Sequence, residues 1–182
     1  MAIAVFFAEG FEEIEGLTVV DLTRRAGIET WMVSVSKDKE VTGSHGITAA
    51  MDKTLEEVDF QQVEMIVLPG GMPGTLNLGN CRVLTEQIKA FHEQKKYVAA
   101  ICAAPTVLGK LGILRGEKAC CYPGMEEQLE GALVGFEPCI CSGHVITSRG
   151  MGTAIDFALQ IVALVKGEEE ANKLAKAIVY QE

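Results

Sequence analysis

Residues 97–106 of this 182-residue chain read YVAAICAAPT, an apolar run that changes character at a single cysteine. The first five residues predict a buried strand, and Pro105 predicts the first turn of a helix, where a proline loses no intrahelical hydrogen bond. Cys102 then lies on a sharp turn between strand and helix, with the small Ala100 and Ala104 two residues away on either side. This spacing is typical of a nucleophile elbow, which lifts its side chain out of the packing. Because free cysteines are usually small buried hydrophobic residues, the pattern is equally compatible with a structural Cys102.

The ionisation of Cys102 is expected to depend on the helix that follows it and on Glu15. Free N–H groups and the positive end of a helix dipole favour a thiolate over a thiol. Glu15 lies one turn into the first predicted helix, and a protonated Glu15 can donate a hydrogen bond to the sulfur. We therefore predict a raised pKa for Glu15 and a proton shared with Cys102. Glu12 and Glu13, at the helix start, are expected to be solvated and to complement the dipole.

The alternation of predicted strands and helices indicates an α/β protein, with a mostly parallel sheet covered on both faces. We find no repeat or linker, so a single domain over residues 1–182 is expected. Asn80 and Thr153 are predicted to cap two of the helices. The predicted strands cover residues 2–7, 30–35, 65–68, 97–101 and 118–122, and hairpins are predicted at 41–50 and 136–148. One helical turn is predicted at 54–57. Helices are predicted at 12–26, at 81–94, from 105 to between 109 and 112, from the Thr153 cap to 166, and at 168–180.

The turns that follow four predicted strands carry polar residues or glycines. They hold residues 9–15, Gly70 with Gly71, Cys102, and Tyr122 with Pro123. Parallel strands end at the same edge of a sheet, and ligands bind there in open α/β folds. The four turns are therefore predicted to converge on one crevice.

Residues 69–74, PGGMPG, leave backbone N–H groups uncovered by side chains. Beside Cys102 they can form an oxyanion hole, although a simple tight turn also uses glycine. None of the three histidines follows a core strand at this edge, so a cysteine–histidine dyad has no evident partner. Tyr122 stands in the best place for one, and its hydroxyl either orients a substrate or packs. Arg149 is interpreted as tying down a loop in preference to binding an anion.

Composition excludes several classes of function. The chain carries 25 acidic and 16 basic residues, a net charge of −9, and no basic cluster, so neither a nucleic acid nor an anionic membrane is an expected partner. It shows no signal peptide and no bilayer-spanning run, which favours a cytoplasmic protein. The six cysteines are then expected to be free thiols. Their spacings match no zinc motif, so we expect no metal and no other cofactor.

Five segments together resemble the ThiJ/PfpI superfamily, in the branch of the parkinsonism-associated protein deglycase and its bacterial relatives. They are, in family order, EEIE at 12–15, RRAGI at 24–28, VLPGG at 67–71, AAICAAP at 99–105 and TSRG at 147–150. The resemblance spans essentially the whole chain and implies a flavodoxin-like three-layer α/β sandwich, usually a homodimer.

The resemblance also assigns roles to individual residues. It implies that Cys102 is the reactive cysteine, Glu15 its hydrogen-bonding partner, and the backbone of Gly71 and Ala103 the oxyanion donors. Gly70 and Tyr122 are candidates for orienting the substrate. Two positions depart from relatives: Tyr122 replaces a histidine common in this branch, and Ala103 replaces the histidine of protease-like members. Peptidase activity is therefore not expected.

Two functions follow from the resemblance. One is cofactor-free glyoxalase or deglycase chemistry, in which Cys102 attacks a small α-oxoaldehyde or a modified protein and Glu15 moves a proton. The alternative is a redox-responsive, chaperone-like protein in which Cys102 is oxidised without turnover. An amidase acting on a thiazole or pyrimidine precursor is a weaker third interpretation.

Overall fold

A computed structural model of the chain describes residues 2–180, which form eleven strands and six α-helices. Short 3₁₀ turns lie at Leu55–Glu57, Phe60–Gln62, Glu126–Gln128 and Met151–Thr153. The strands are β1 (Ala2–Phe7), β2 (Thr30–Ser34), β3 (Glu40–Thr42), β4 (Thr48–Ala50), β5 (Lys53–Thr54), β6 (Val63–Leu68), β7 (Tyr97–Ile101), β8 (Lys118–Ala119), β9 (Leu133–Val134), β10 (Cys139–Ser142) and β11 (Val145–Ser148). The helices are α1 (Glu13–Arg25), α2 (Gly74–Asn80), α3 (Arg82–Glu93), α4 (Pro105–Lys110), α5 (Ala154–Lys166) and α6 (Glu168–Ala177).

The central sheet has seven strands in the order β10-β11-β7-β6-β1-β2-β5. Every neighbouring pair is parallel except β10 with β11, so the predicted mostly parallel sheet is confirmed. The adjacent strands β1, β6 and β7 occupy its middle. Their carboxyl ends lead into residues 8–12, Gly70 and Cys102, which places these turns side by side at one edge.

Two hydrophobic clusters, one on each face of the sheet, join the sheet to its two helix layers. Alternate residues of β1 belong to different clusters. Ala4 and Phe6 belong to the cluster that includes residues of α3 and α4. Val5 and Phe7 belong to the other cluster, which includes residues of α1, α5 and α6. Successive side chains of a strand point to opposite faces, so a strand buried on both sides must be apolar throughout. The α/β class with helices on both faces of the sheet is confirmed.

The prediction of a fifth core strand at 118–122 is wrong. Only Lys118–Ala119 is a strand, and it pairs with β9 in a separate two-stranded sheet. The place beside β7 is taken by β11, which comes from the predicted hairpin. The Cys120 N–H then donates to the Thr147 hydroxyl instead of to a backbone ladder. A run of apolar residues cannot reveal which of two candidate strands occupies the position next to β7.

Helix boundaries were predicted to within a few residues, with one helix missed. The segment Gly74–Asn80 is helical, so Asn80 ends α2 and does not cap α3, which begins after Cys81. Ile14 of α1 and Val83 of α3 are exposed, although both side chains are apolar. The final helix stops at Ala177, earlier than residue 180. None of the helices within residues 2–180 has the length and apolar character needed to cross a bilayer.

The ends of α1 are defined by local chemistry. Glu12 is its N-cap, with a side chain that accepts from the Ile14 N–H at 3.4 Å, and Gly27 follows the helix at a φ of 67°. Arg24, in the last turn of α1, donates to the carbonyl oxygen of Thr30 at 2.9 Å and to Asp52. The helix is thereby fixed to β2 at its carboxyl end, which leaves its amino end directed at the edge where β6 and β7 finish.

The helix layers should dominate stability. Phe157 of α5 is fully buried, so Phe157→Ala should lower the free energy of unfolding by about 3–5 kcal/mol. Phe136 is 64% exposed, and Phe136→Ala is the matched control, with an expected loss below about 1 kcal/mol, because only an exposed cation–π contact is removed. Urea unfolding of both variants measures the difference. Equal losses would contradict this assignment of the core.

Candidate active site at the carboxyl edge of the sheet

Cys102 lies on the turn between β7 and α4 in a left-handed backbone conformation, with a φ of 67°. This conformation is uncommon for a residue with a Cβ, so the surroundings must hold it in place. The Cys102 N–H donates to the Ser148 carbonyl at 3.0 Å, and its own carbonyl accepts from the Tyr122 N–H at 2.8 Å. The side chain is half-buried. The structure therefore has the geometry of the predicted elbow, with Pro105 in the first turn of α4.

Glu15 reaches the same point from α1 and is completely buried. Its Oε2 accepts a hydrogen bond from the Gly70 N–H at 2.9 Å. A Cβ on Gly70 would lie only 2.6 Å from the Cys102 Cβ and 2.7 Å from Glu15 Oε2. Position 70 must therefore be glycine for the carboxyl and the thiol to approach each other.

Two backbone N–H groups face the Cys102 sulfur. Those of Gly71 and Ala103 both act on the thiol as hydrogen-bond donors that lower its pKa. Gly71 has a φ of 91°, and the loop around it is fixed because the Glu12 N–H donates to the Gly70 carbonyl at 2.9 Å. Two donors converging on one point can stabilise negative charge on an attacked carbonyl oxygen as well as on sulfur.

Burial raises the pKa of Glu15 to about 7, as expected from its sequence position. Hydrogen bonds from Cys102 and Gly70 oppose this shift, and the charge of Glu12 adds to it. The second oxygen, Oε1, is buried without a hydrogen-bond partner of ordinary geometry among residues 2–180. Because a buried carboxylate oxygen without a partner is costly, the neutral acid is favoured here.

The expectation that Cys102 is a ready thiolate is wrong. Burial, followed by the charge and the hydrogen bond of Glu15, raises the pKa of the Cys102 thiol to about 12, and the N–H groups of Ala103 and Gly71 oppose this only in part. The helix that follows has six residues, so its dipole is small. Glu15 and Cys102 thus keep one proton between them well above neutral pH.

Glu12 and Glu13 were expected to be solvated, and this is also wrong, since both are buried. Burial opposes the ionisation of Glu13, but hydrogen bonds from His45 and from the N–H groups of the β3–β4 turn outweigh it and lower its pKa. The Glu13 Oε1 accepts from the His45 N–H at 2.8 Å, and its Oε2 lies 2.9 Å from His45 Nδ1. No signal in the sequence connects this hairpin turn with α1.

Tyr122, a candidate either for orienting a substrate or for packing, touches the site through its backbone N–H, and the residue is 52% exposed. His92 and His144 hydrogen-bond to each other at 2.9 Å. They lie at the amino ends of β7 and β11, the opposite edge of the sheet. Arg149 donates to the Phe136 carbonyl at 3.4 Å, which agrees with a role in tying down a loop.

Comparison with known proteins supports the resemblance noted in the sequence. The model of the DJ-1/PfpI family matches residues 1–164. The chain belongs to the DJ-1/PfpI family. The family assignment accounts for the flavodoxin-like arrangement of sheet and helices described above.

The chain is similar to three known proteins over nearly all of its length. "Glutathione-independent glyoxalase DJR-1.2" of Caenorhabditis elegans is 34% identical over 93% of this chain and 91% of its own length. "Protein DJ-1 homolog B" of Arabidopsis thaliana is also 34% identical, over 94% of this chain, which spans only 40% of that protein. The solved structure titled "Toxoplasma gondii DJ-1, oxidized" superposes with a TM-score of 0.95 at 35% identity, over 100% of this chain and 99% of its own.

The raised pKa of Glu15 makes stability depend on pH. In the unfolded chain the pKa of Glu15 is near 4.5, so the folded state binds the proton more tightly. The unfolding free energy that this proton contributes is fully present below pH 4.5 and is lost as pH rises through about 7. Between pH 4.5 and 8 the wild type should lose about 3 kcal/mol of unfolding free energy relative to Glu15→Gln. Urea unfolding of both proteins across this range is the measurement. The exposed Glu130→Gln serves as the control, and a similar pH-dependent difference for it would contradict the assignment.

Proposed function

We propose that this protein is a cysteine-dependent, cofactor-free enzyme of the glyoxalase or deglycase type. Its substrates would be small α-oxoaldehydes or the adducts that they form, including those on proteins. The observation that carries the proposal is the pairing of Cys102 with the buried Glu15 carboxyl across Gly70. The Caenorhabditis elegans relative, which is named a glutathione-independent glyoxalase, adds support.

The first step is addition of the Cys102 sulfur to the aldehyde carbon. Because the thiol holds its proton tightly, the proton passes to the Glu15 carboxylate as the sulfur attacks. A base with a pKa of about 7 suits this task, since it is partly ionised at neutral pH and still accepts a proton well. The new S–C bond converts the carbonyl oxygen into an alkoxide, which the N–H groups of Gly71 and Ala103 stabilise. Glu15 then gives the thiol proton to that oxygen, which completes the hemithioacetal and restores the Glu15 carboxylate as a base.

The second step moves hydrogen between the two carbons of the adduct. Glu15 removes the proton from the former aldehyde carbon, and the electron pair shifts toward the neighbouring ketone to give an enediolate. Return of the proton to the ketone carbon gives a thioester of a 2-hydroxy acid. Water then hydrolyses the thioester and frees Cys102. The sum is addition of one water to the oxoaldehyde with no net oxidation, so the scheme needs no redox cofactor.

Lactate release from methylglyoxal tests this proposal. Cys102→Ala should abolish it because the covalent step is lost, and Glu15→Gln should lower kcat/KM by about 10²–10⁴-fold, since the amide cannot accept the proton. Cys139→Ser is the matched control: this cysteine also has a thiol pKa raised to about 12 by burial but lies on β10. Equal lactate release by wild type and Cys102→Ala would overturn the proposal.

A second function, redox sensing or chaperone-like protection through oxidation of Cys102, is favoured by one observation. The solved structure of the relative from Toxoplasma gondii, at a TM-score of 0.95, is that of an oxidized protein. In this chain a sulfinate on Cys102 would meet the N–H groups of Gly71 and Ala103 and a protonated Glu15, all of which can donate hydrogen bonds to its oxygens. This second role requires no turnover.

Mild peroxide followed by mass spectrometry tests the redox role. Sulfinate should accumulate on Cys102 in preference to the other five cysteines, of which Cys141 is the exposed comparator, because the donors at Gly71, Ala103 and Glu15 stabilise this product. Glu15→Gln should retain less of the sulfinate form, because the amide donates a weaker hydrogen bond than a carboxylic acid. More sulfinate on Cys141 than on Cys102, or an even distribution, would contradict this role.

We also propose that the protein is a homodimer in the cytoplasm. Support for the dimer comes from the family resemblance and from an apolar groove of about 580 Å³ along α1, with Ile14 and Ile47 half exposed in its wall. A second copy that covers this groove would bury these side chains. The dimer would leave the Cys102 chemistry within each chain.

A further inference from the structure

A cavity of about 160 Å³ lies between α2 and α4, beside the candidate active site. The proposed cysteine chemistry uses none of the residues that line it. Met72, Leu76 and Val107 give the cavity apolar walls, and the first two are half exposed. The polar lining residues Asn80 and Lys110 are exposed, so they lie on its solvent side. The cavity is therefore an apolar recess with a polar mouth.

The gap between the two helices depends on the missing side chain of Gly79. This residue lies within α2 and does not have a positive φ, so its backbone conformation does not require glycine. A glycine inside a helix costs about 1 kcal/mol relative to alanine. A Cβ at position 79 would lie 3.4 Å from Val107 Cγ2, on the facing helix. A larger side chain at this position would therefore fill part of the cavity.

The wall of the cavity is hydrogen-bonded to both residues that supply the oxyanion donors. The Thr75 N–H donates to the Gly71 carbonyl at 2.9 Å. The N–H and the hydroxyl of Thr106 donate to the Ala103 carbonyl, at 3.1 Å and 2.7 Å. Both threonines line the cavity. The cavity therefore begins within about one helical turn of the point where the N–H groups of Gly71 and Ala103 converge.

We propose that this cavity binds the non-reacting substituent of an α-oxoaldehyde, and that it selects an apolar substituent of about the size of a phenyl ring. The inference rests on the proposed function, because it names the substrate class of the same Cys102 site. An apolar cavity of about 150 Å³ is large enough to bind benzene. A methyl group would leave most of the cavity unfilled, so methylglyoxal gains little from burial there.

The cavity lies on the opposite side of the sheet from the groove that the proposed dimer covers. Leu17 and Ile155, which line the groove, pack against the hydrophobic cluster on one face. Val107 and Leu111, which line the cavity, belong to the other face. Among residues 2–180 the groove and the cavity share no lining residue. A second copy seated on the groove therefore leaves the cavity accessible to a substrate.

The ratio of kcat/KM for phenylglyoxal to that for methylglyoxal tests the cavity, with mandelate and lactate as the products measured. Wild type should favour phenylglyoxal by about tenfold or more, and Gly79→Leu should lower the ratio by a similar factor, because the added side chain takes the place of the ring. Lys89→Leu is the matched control. It adds a leucine at an exposed position of α3, outside the cavity, and should keep the wild-type ratio.

A second measurement does not depend on turnover. Phenacyl bromide and bromoacetone are α-bromoketones that differ only in a phenyl against a methyl group. Each alkylates Cys102 by forming an S–C bond as bromide leaves, and the thiol proton passes to Glu15. Mass spectrometry gives the ratio of the two rates, which should fall about tenfold from wild type to Gly79→Leu and stay unchanged in Lys89→Leu. Gly79→Ala, which adds one carbon, should lower the ratio by about threefold.

The two measurements separate failure of the cavity from failure of the proposed function. Absence of turnover together with the expected fall in the alkylation ratio would overturn the enzyme and support the cavity. An unchanged alkylation ratio in folded Gly79→Leu and Gly79→Ala, or an equal fall in Lys89→Leu, would overturn the cavity. Thermal unfolding of each variant distinguishes loss of the cavity from loss of the fold. Gly79→Ala should unfold at a temperature no lower than wild type, because alanine is the better helix former.

Discussion

The candidate site depends on the approach of one buried carboxyl to one thiol. Glu15 and Cys102 come from α1 and from the end of β7, and only the missing side chain of Gly70 lets them meet. The Gly70 N–H then bonds to the carboxyl and fixes its orientation. Burial disfavours charge on both groups, so the pair retains a proton, which stays on the sulfur until attack passes it to the carboxylate. A mobile proton between an acid and a nucleophile is what addition to a carbonyl requires.

Much of this arrangement follows from the order of elements in the sequence. Apolar runs bounded by helices predicted the parallel sheet, and parallel strands must end at a common edge. The convergence of Glu15, Gly70 and Cys102 at that edge was therefore accessible without coordinates. The elbow was equally accessible, because Pro105 can only occupy the first turn of a helix at that distance from the strand.

What the sequence could not provide are facts that depend on neighbours distant in the chain. The place next to β7 went to β11 and not to residues 118–122, because strand order is not encoded in local periodicity. The burial of Glu12 and Glu13 depends on the β3–β4 turn folding over α1. The protonated state of Cys102 likewise depends on how deeply the partner carboxyl is buried, whereas helix position alone suggested a thiolate.

The backbone of Cys102 is held at both ends, by the carbonyl of Ser148 and by the N–H of Tyr122. With φ fixed in the left-handed region and both peptide groups bonded, rotation about the Cα–Cβ bond is the main freedom left to the sulfur. An electrophile that enters the crevice therefore meets a nucleophile with a single torsion to search. The entropy of orienting the attacking atom has already been lost during folding, and it does not have to be lost again at each encounter.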